Sequence, residues 1–402
     1  MPTHQTQPMP TGQIALFLIL ISALVRLGVS MYLPALPRMG DALHLSTHQL
    51  TQTITIYLAV FAAASLLLGP FADAFGRQSL VRFGMVMFLL GSCLCGMSHS
   101  YAVLMAGRVL QAFGASAIPV ASRAMVRDVY NDRQVIGVLG WMGVVTGLTP
   151  MLAPALGGFI TQQFGWRANF YMLAGITLLV GMATPRLPSD TLAVDKRVGL
   201  SFPGIMKAYG QMLIAPAFVL VLLPMVFCFA VQGAYLVTSP FIFIHLLGWT
   251  PAQFGATSLI LVTALVAGRL LCSLMIRRFN LFQVYLTGAM LTVAGALLFG
   301  ILLVAPAYSG IVILSSAFVF CIGFGLLLPV GMKSVLSAFQ HIAGTASAIY
   351  GAATLGATAA GSELMGAMMV RTMRDLYLLG TLTLLFSLLT LGSTLFCRKR
   401  LV

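Results

Sequence analysis

The chain has 402 residues, of which 59% are hydrophobic and 7% charged, with a mean hydropathy of +1.00 and a formal net charge of +14. A soluble domain carries about 25% charged residues, so this composition excludes a water-soluble globular protein and points to repeated crossing of a bilayer. The basic residues are spread through short connections rather than gathered on one face, which excludes the surface of a nucleic-acid binder and suits contact with anionic lipid headgroups.

Twelve apolar runs are expected as helices, at 12–33, 51–71, 80–98, 101–122, 136–160, 167–186, 214–235, 252–275, 282–303, 308–332, 342–366 and 375–396. Each is near the ~20 residues that cross a ~30 Å hydrocarbon layer. The first follows a polar, Pro-containing start and leads straight into further spans, so it reads as a crossing rather than a cleaved signal. It carries Arg26 and, one turn later, Ser30.

The second run ends in GPFADAFGRQ, residues 69–78. Gly69 and Gly76 allow a tight helix–loop–helix turn, and Asp73 and Arg77 are placed to bind charges on neighbouring helices. A solvated turn is the alternative. The fourth run places Arg108 and Gln111 three apart on one face, with Arg108 about 10 Å below the helix end by helical rise. An arginine at that depth is too costly to face lipid, so it points to the bundle interior. The fifth run holds Gly147, Pro150, Pro154, Gly157 and Gly158. Prolines four apart with glycines beside them predict a kinked, thin helix where two bundles touch.

Residues 187–213 form the longest polar connection and separate six runs from six. The expected organisation is an all-α membrane protein of two six-helix bundles, 1–186 and 214–402, joined by a linker at 187–213 and suggesting an internal repeat. If the termini are cytoplasmic, that face carries Arg77, Arg82, Arg123, Arg127, Arg133, Arg186, Lys196, Arg197, Lys207, Arg277, Arg278, Lys333, Arg398, Lys399 and Arg400. The other face carries only Arg38, Arg167, Arg371 and Arg374, so the positive-inside rule places termini and linker in the cytoplasm.

The chemistry-bearing residues are few. There is no GxxxxGK[ST] nucleotide loop, the six His lie near predicted helix ends or in loops, and the six Cys show no metal spacing. No filter of repeated carbonyl loops or charged rings is visible. The chain therefore reads as neither an enzyme nor a channel, with no metal or cofactor, leaving a secondary transporter. A nontransporting sensor or scaffold is the reading from another class. Of eight carboxylates, only Glu363 falls inside a predicted span. It is either a proton or substrate site, or a residue pairing with headgroups, Arg371 or Arg374.

The segments GPFADAFGR, RVLQAFGAS and TPMLAPALGG resemble the second-loop, fourth-helix and fifth-helix motifs of the major facilitator superfamily. The last is similar to the signature of its proton-driven drug exporters. MYLPALP at 31–37, RAMVRDVY at 123–130 and GWRANF at 165–170 further resemble the bicyclomycin-resistance (Bcr/CflA-like) group. This resemblance implies proton-coupled export of amphipathic small molecules across a bacterial inner membrane by alternating access, with no cofactor, from a monomer. Drugs are the first expectation, and an endogenous siderophore, nucleoside or sugar the second. It further implies that Asp73 and Arg77 lock the cytoplasmic closure, that Arg108 joins in proton coupling, and that Pro150, Pro154, Gly157 and Gly158 shape the bundle contact. The chain departs from the pattern at Ala74, Gln78 and Ser30, the last standing where many members carry an acid.

By helical rise, Arg26 and Arg108 come to a similar depth in the first bundle. Two such cations predict an electropositive cavity favouring neutral, zwitterionic or anionic substrates unless carboxylates of the other half approach; the alternative is that Arg26 reaches an interface and Arg108 braces helices. Arginine does not release its proton, so coupling falls to Glu363 or to Asp41 at the outer mouth.

Overall fold

The computed structural model describes residues 11–184, 210, 212–304, 310–338, 343–368 and 374–396. Among them thirteen α-helices run in chain order and no strand occurs: α1 (Thr11–Ser30), α2 (Leu36–Leu43), α3 (Thr47–Phe75), α4 (Arg77–Gly96), α5 (Tyr101–Val129), α6 (Asp132–Phe164), α7 (Arg167–Gly181), α8 (Pro216–Pro240), α9 (Pro251–Met275), α10 (Leu281–Val304), α11 (Gly310–Ala338), α12 (Ala343–Met368) and α13 (Arg374–Phe396). With no water in a bilayer core, every backbone polar group must be satisfied internally, and helices achieve this within one segment. The starts are written locally. Ser46 with Gln49, Asn131 with Gln134 and Thr250 with Gln253 form capping boxes that satisfy the first free N–H groups of α3, α6 and α9. The stop between α3 and α4 is Gly76, at φ 94°, where a side chain would be strained.

Apart from the short α2, these are the twelve expected spans. Nine helical runs among the described residues are individually long and apolar enough to cross a membrane. The other three crossings are α6, α7 and α12, which are held by packing: α6 against α1 and α9, α7 against α4, and α12 against α8 and α3. The fourth helix continues to Val129, beyond the expected end at 122, and carries Arg123 and Asp128 past the apolar run. Most of the linker 187–213 lies outside the described residues, as does Arg371.

Helices α1 and α3–α7 make one bundle, α8–α13 the other. In each, the third and fourth crossings meet along glycines. A Cβ added to Gly114 would lie 2.4 Å from the Gly84 carbonyl oxygen in the α4–α5 seam, and one added to Gly323 would lie 2.6 Å from that of Gly288 in the α10–α11 seam. Close backbone approach of this kind is how helices associate where lipid removes the hydrophobic drive. The bundles meet along two seams, α3 with α12 and α6 with α9. These are crossings two with eleven and five with eight, and a shift by six crossings exchanges one seam for the other.

Alternating helices leave Thr11 and Phe396 at one end of the molecule, here the near end. The far end carries α2 and the turns at residues 44–46, 97–100 and 247–250.

Candidate functional site

Arg108 is the largest fully buried side chain, 1% exposed. Its Nε donates to the Thr53 carbonyl at 3.2 Å, and its Nη1 donates to the Gly28 carbonyl at 3.2 Å and to Gln111 Oε1 at 2.5 Å. Gln111 Nε2 in turn donates to Ser92 Oγ at 2.8 Å. The guanidinium lies between the rings of Tyr32 and Tyr57, its carbon 4.2 Å from each centroid. No carboxylate among the described residues pairs with it. Two aromatic faces and two main-chain carbonyls compensate the charge instead, and a desolvated cation–π contact is worth about 2 kcal/mol. The Tyr32 ring packs on Phe170 at 5.5 Å. Residues of MYLPALP, RVLQAFGAS and GWRANF therefore converge on one node joining α1, α3, α4, α5 and α7.

This overturns one expectation. Arg108 and Arg26 do not together make the cavity electropositive, because Arg108 is sealed inside the first bundle. Arg26 is exposed and lies within electrostatic reach of Arg269 on α9, a residue of the second bundle that the sequence reading passed over.

The cavity lies within the second bundle and has a volume of about 200 Å³. Helices α8 to α11 and α13 line it, and Ser30, Leu33 and Pro154 close it from the first bundle. Its wall is apolar and hydroxyl-bearing, with Phe254, Phe320, Phe324, Ser239 and Thr257 and no charged side chain. The Tyr235 hydroxyl, also in this wall, is buried and has no hydrogen-bond partner among the described residues. Such a wall suits the apolar body of a small molecule with few polar groups.

At the far end the bundles are in backbone contact. A Cβ on Gly158 of α6 would lie 2.2 Å from the Pro251 carbonyl oxygen, and one on Gly255 of α9 would lie 2.2 Å from that of Pro154. Gly157 faces its own bundle, where a Cβ would meet the Met31 carbonyl oxygen at 1.6 Å. On the second seam, His48 Nε2 of α3 is 2.9 Å from Glu363 Oε1 of α12. Glu363 thus pairs with a histidine of the other bundle; Arg371 and the side chain of Arg374 lie outside the described residues. Tyr101, within electrostatic reach of Glu363, donates to Gln52 at 2.5 Å. Asp41 is exposed on α2.

At the near end, Arg77 is ion-paired to Asp128 and donates from Nη1 to the Ala124 carbonyl at 2.8 Å. Both of these partners sit on α5, so these contacts brace α4 to α5. Asp128 belongs to RAMVRDVY and was not singled out by sequence. Asp73, Gly69, Gly147 and Pro150 lie in the helical backbone of α3 and α6, and their surroundings are outside the described residues.

A two-bundle membrane protein with a cavity in one bundle closed by residues of the other, and with six-shift symmetric seams, has the architecture of a secondary transporter. The Major Facilitator Superfamily profile matches residues 18–362, and the chain belongs to that family. It is 30% identical over 355 residues to the uncharacterized MFS-type transporter YdgK of Bacillus subtilis, covering 85% of this chain and 86% of that one. It is also 30% identical to the multidrug resistance protein MdtL of Citrobacter koseri, covering 84% and 85%. Among solved structures, a D-xylose–proton symporter superposes with a TM-score of 0.75 at 17% identity over 94% of this chain and 97% of that one. A peptide transporter bound to sulfate gives 0.76 at 17% identity, covering 98% of each. The chain is therefore a multi-pass membrane transporter, not an enzyme.

Proposed function

We propose that this protein exports drug-like amphipathic molecules across a bacterial inner membrane by alternating access, in exchange for protons, as a monomer of the bicyclomycin-resistance group. The observation that carries this reading is the uncharged, aromatic cavity at a bundle junction whose far end is shut by two symmetry-related seams. A rocking motion that separates those seams exposes the cavity to the other side. The similarity to MdtL multidrug resistance proteins supports drugs as cargo.

Proton coupling is assigned to Glu363 with His48. The carboxyl and the imidazole lie on a seam that must open and belong to different bundles, so a proton taken up by Glu363 removes one charge from a pair holding the far end shut. In proteoliposomes, Glu363→Gln is expected to bind substrate but to release at least about tenfold fewer protons per substrate than the parent protein. Unaltered proton release by the variant moves the coupling site elsewhere.

On this proposal both termini and the linker lie in the cytoplasm. A cysteine at Ser189, with the native cysteines replaced, should resist a membrane-impermeant thiol reagent in intact cells and react after permeabilisation. Labelling in intact cells reverses the topology.

A further inference from the structure

Arg26 on α1 and Arg269 on α9 stand apart from the other membrane-embedded arginine. Arg108 is held by acceptors and aromatic faces, whereas neither Arg26 nor Arg269 has a hydrogen bond or an ion pair among the described residues. Both side chains are exposed, although both belong to apolar spans. They come from different bundles and are close enough to repel each other. The neutral phenols Tyr57 and Tyr350 are the other groups within electrostatic reach, Tyr57 of Arg26 and Tyr350 of Arg269.

Their placement relative to the cavity is regular. Arg26 precedes the cavity residue Ser30 by four, and Arg269 follows the cavity residue Leu265 by four. Residues four apart share a helix face, so each arginine lies on the face that lines the cavity, one turn away. Helix α1 runs toward the far end and α9 runs back, so both displacements are toward the near end. The two guanidinium groups thus flank the near-end side of an otherwise uncharged, aromatic chamber.

Two uncompensated cations at that depth are costly unless an anion joins them, and the guanidinium fork matches an oxyanion. We infer that Arg26 and Arg269 form a composite oxyanion site, one arginine from each bundle, that holds the carboxylate, sulfonate or phosphate head of an amphipathic substrate whose apolar body fills the adjoining cavity. This inference rests on the transport reading and narrows its cargo to anions. Because the site is shared between bundles, the rocking motion that separates them on the near side also parts the two arginines and weakens their hold on the cargo.

The test uses three fluorescent probes with one apolar body: dansylglycine as anion, dansylamide as neutral molecule and dansylcadaverine as cation. Each is titrated into the purified full chain in phosphatidylcholine nanodiscs. The anion is expected to bind at least about tenfold tighter than the amide. Arg26→Gln and Arg269→Gln should each remove that preference while leaving amide binding intact, which also reports that the variants are folded. Repeating the titration with phosphatidylglycerol in the nanodiscs separates the two sources of oxyanion: competition by the lipid, with no preference in phosphatidylcholine, makes this a headgroup site and overturns the cargo inference. Equal binding of the three probes by the parent protein, or unchanged anion preference in both variants, overturns it too. Proteoliposome flux of the same probes keeps the two readings apart. If only the neutral or cationic probe is moved by a proton gradient, transport stands and the anion inference falls. If the anion binds through both arginines but no probe is moved, the site stands and the transport reading falls.

Discussion

Arg108→Lys is expected to abolish measurable export while leaving a folded protein, and Arg108→Ala to cost stability as well, by about 3 kcal/mol. The guanidinium is a flat cation clamped between Tyr32 and Tyr57 that donates to the Thr53 and Gly28 carbonyls and to Gln111. Lysine keeps the charge but offers a compact ammonium with no planar face to stack between two rings, and it does not span all three acceptors. Alanine leaves a cavity at the meeting point of five helices and strands the Gln111 side chain, which is fully buried. Thermal unfolding in detergent should show a lower Tm for the alanine variant, and dye efflux from cells should fail for both. Normal efflux by Arg108→Ala, at parent Tm, makes this node dispensable.

The second large effect lies at the far-end seam. Gly158→Val and Gly255→Val are expected to reduce export at least about tenfold by preventing closure, since the first carbon of each side chain lands on a backbone oxygen of the opposite bundle. Backbone cannot swing aside as a flexible side chain does, so relief requires the bundles to separate. Spin labels placed across the far end should therefore report longer distances, with the protein still folded. Gly157→Ala makes the contrast. Its clash is with Met31 of the same bundle, so it should lower the yield of folded protein rather than shift a population. Short far-end distances and normal export in Gly158→Val contradict the assignment of this seam as a gate.

The helices, their number and the interior role of Arg108 were legible because each rests on a local cost: an apolar run of membrane length, or a charge too deep to face lipid. Pro154, Gly157 and Gly158 were legible for the same reason, as small or kinking residues gathered in one helix. What they touch was not. Gly255, which completes the α6–α9 seam, sits in the unremarkable run PAQFGATS, and only the pairing of crossings five and eight gives it meaning. Glu363 stood out as a carboxylate in a span, yet its partner His48 is 315 residues away and looked like a helix-end residue. Arg269 was passed over inside LVAGRLLCSL, although it is as charged and as deep in an apolar run as Arg108. A rule that every intramembrane arginine needs a named partner finds it, and finds that no sequence neighbour supplies one. Arg77 stood out beside Asp73 in its motif, but its pairing with Asp128, near the end of the next helix, was not legible, because it depends on how far α5 extends beyond its apolar run.

The most direct measurement is accumulation of a fluorescent drug in inside-out membrane vesicles from cells producing the protein. In these vesicles the lumen stands for the cell exterior, so an acid lumen drives protons out through the transporter and cargo inward. Uptake against the concentration gradient should appear when the lumen is acidified, collapse when a protonophore removes the gradient, and be absent with Arg108→Lys. Uptake that is unaffected by the protonophore, or equal in vesicles lacking the protein, contradicts proton-coupled export.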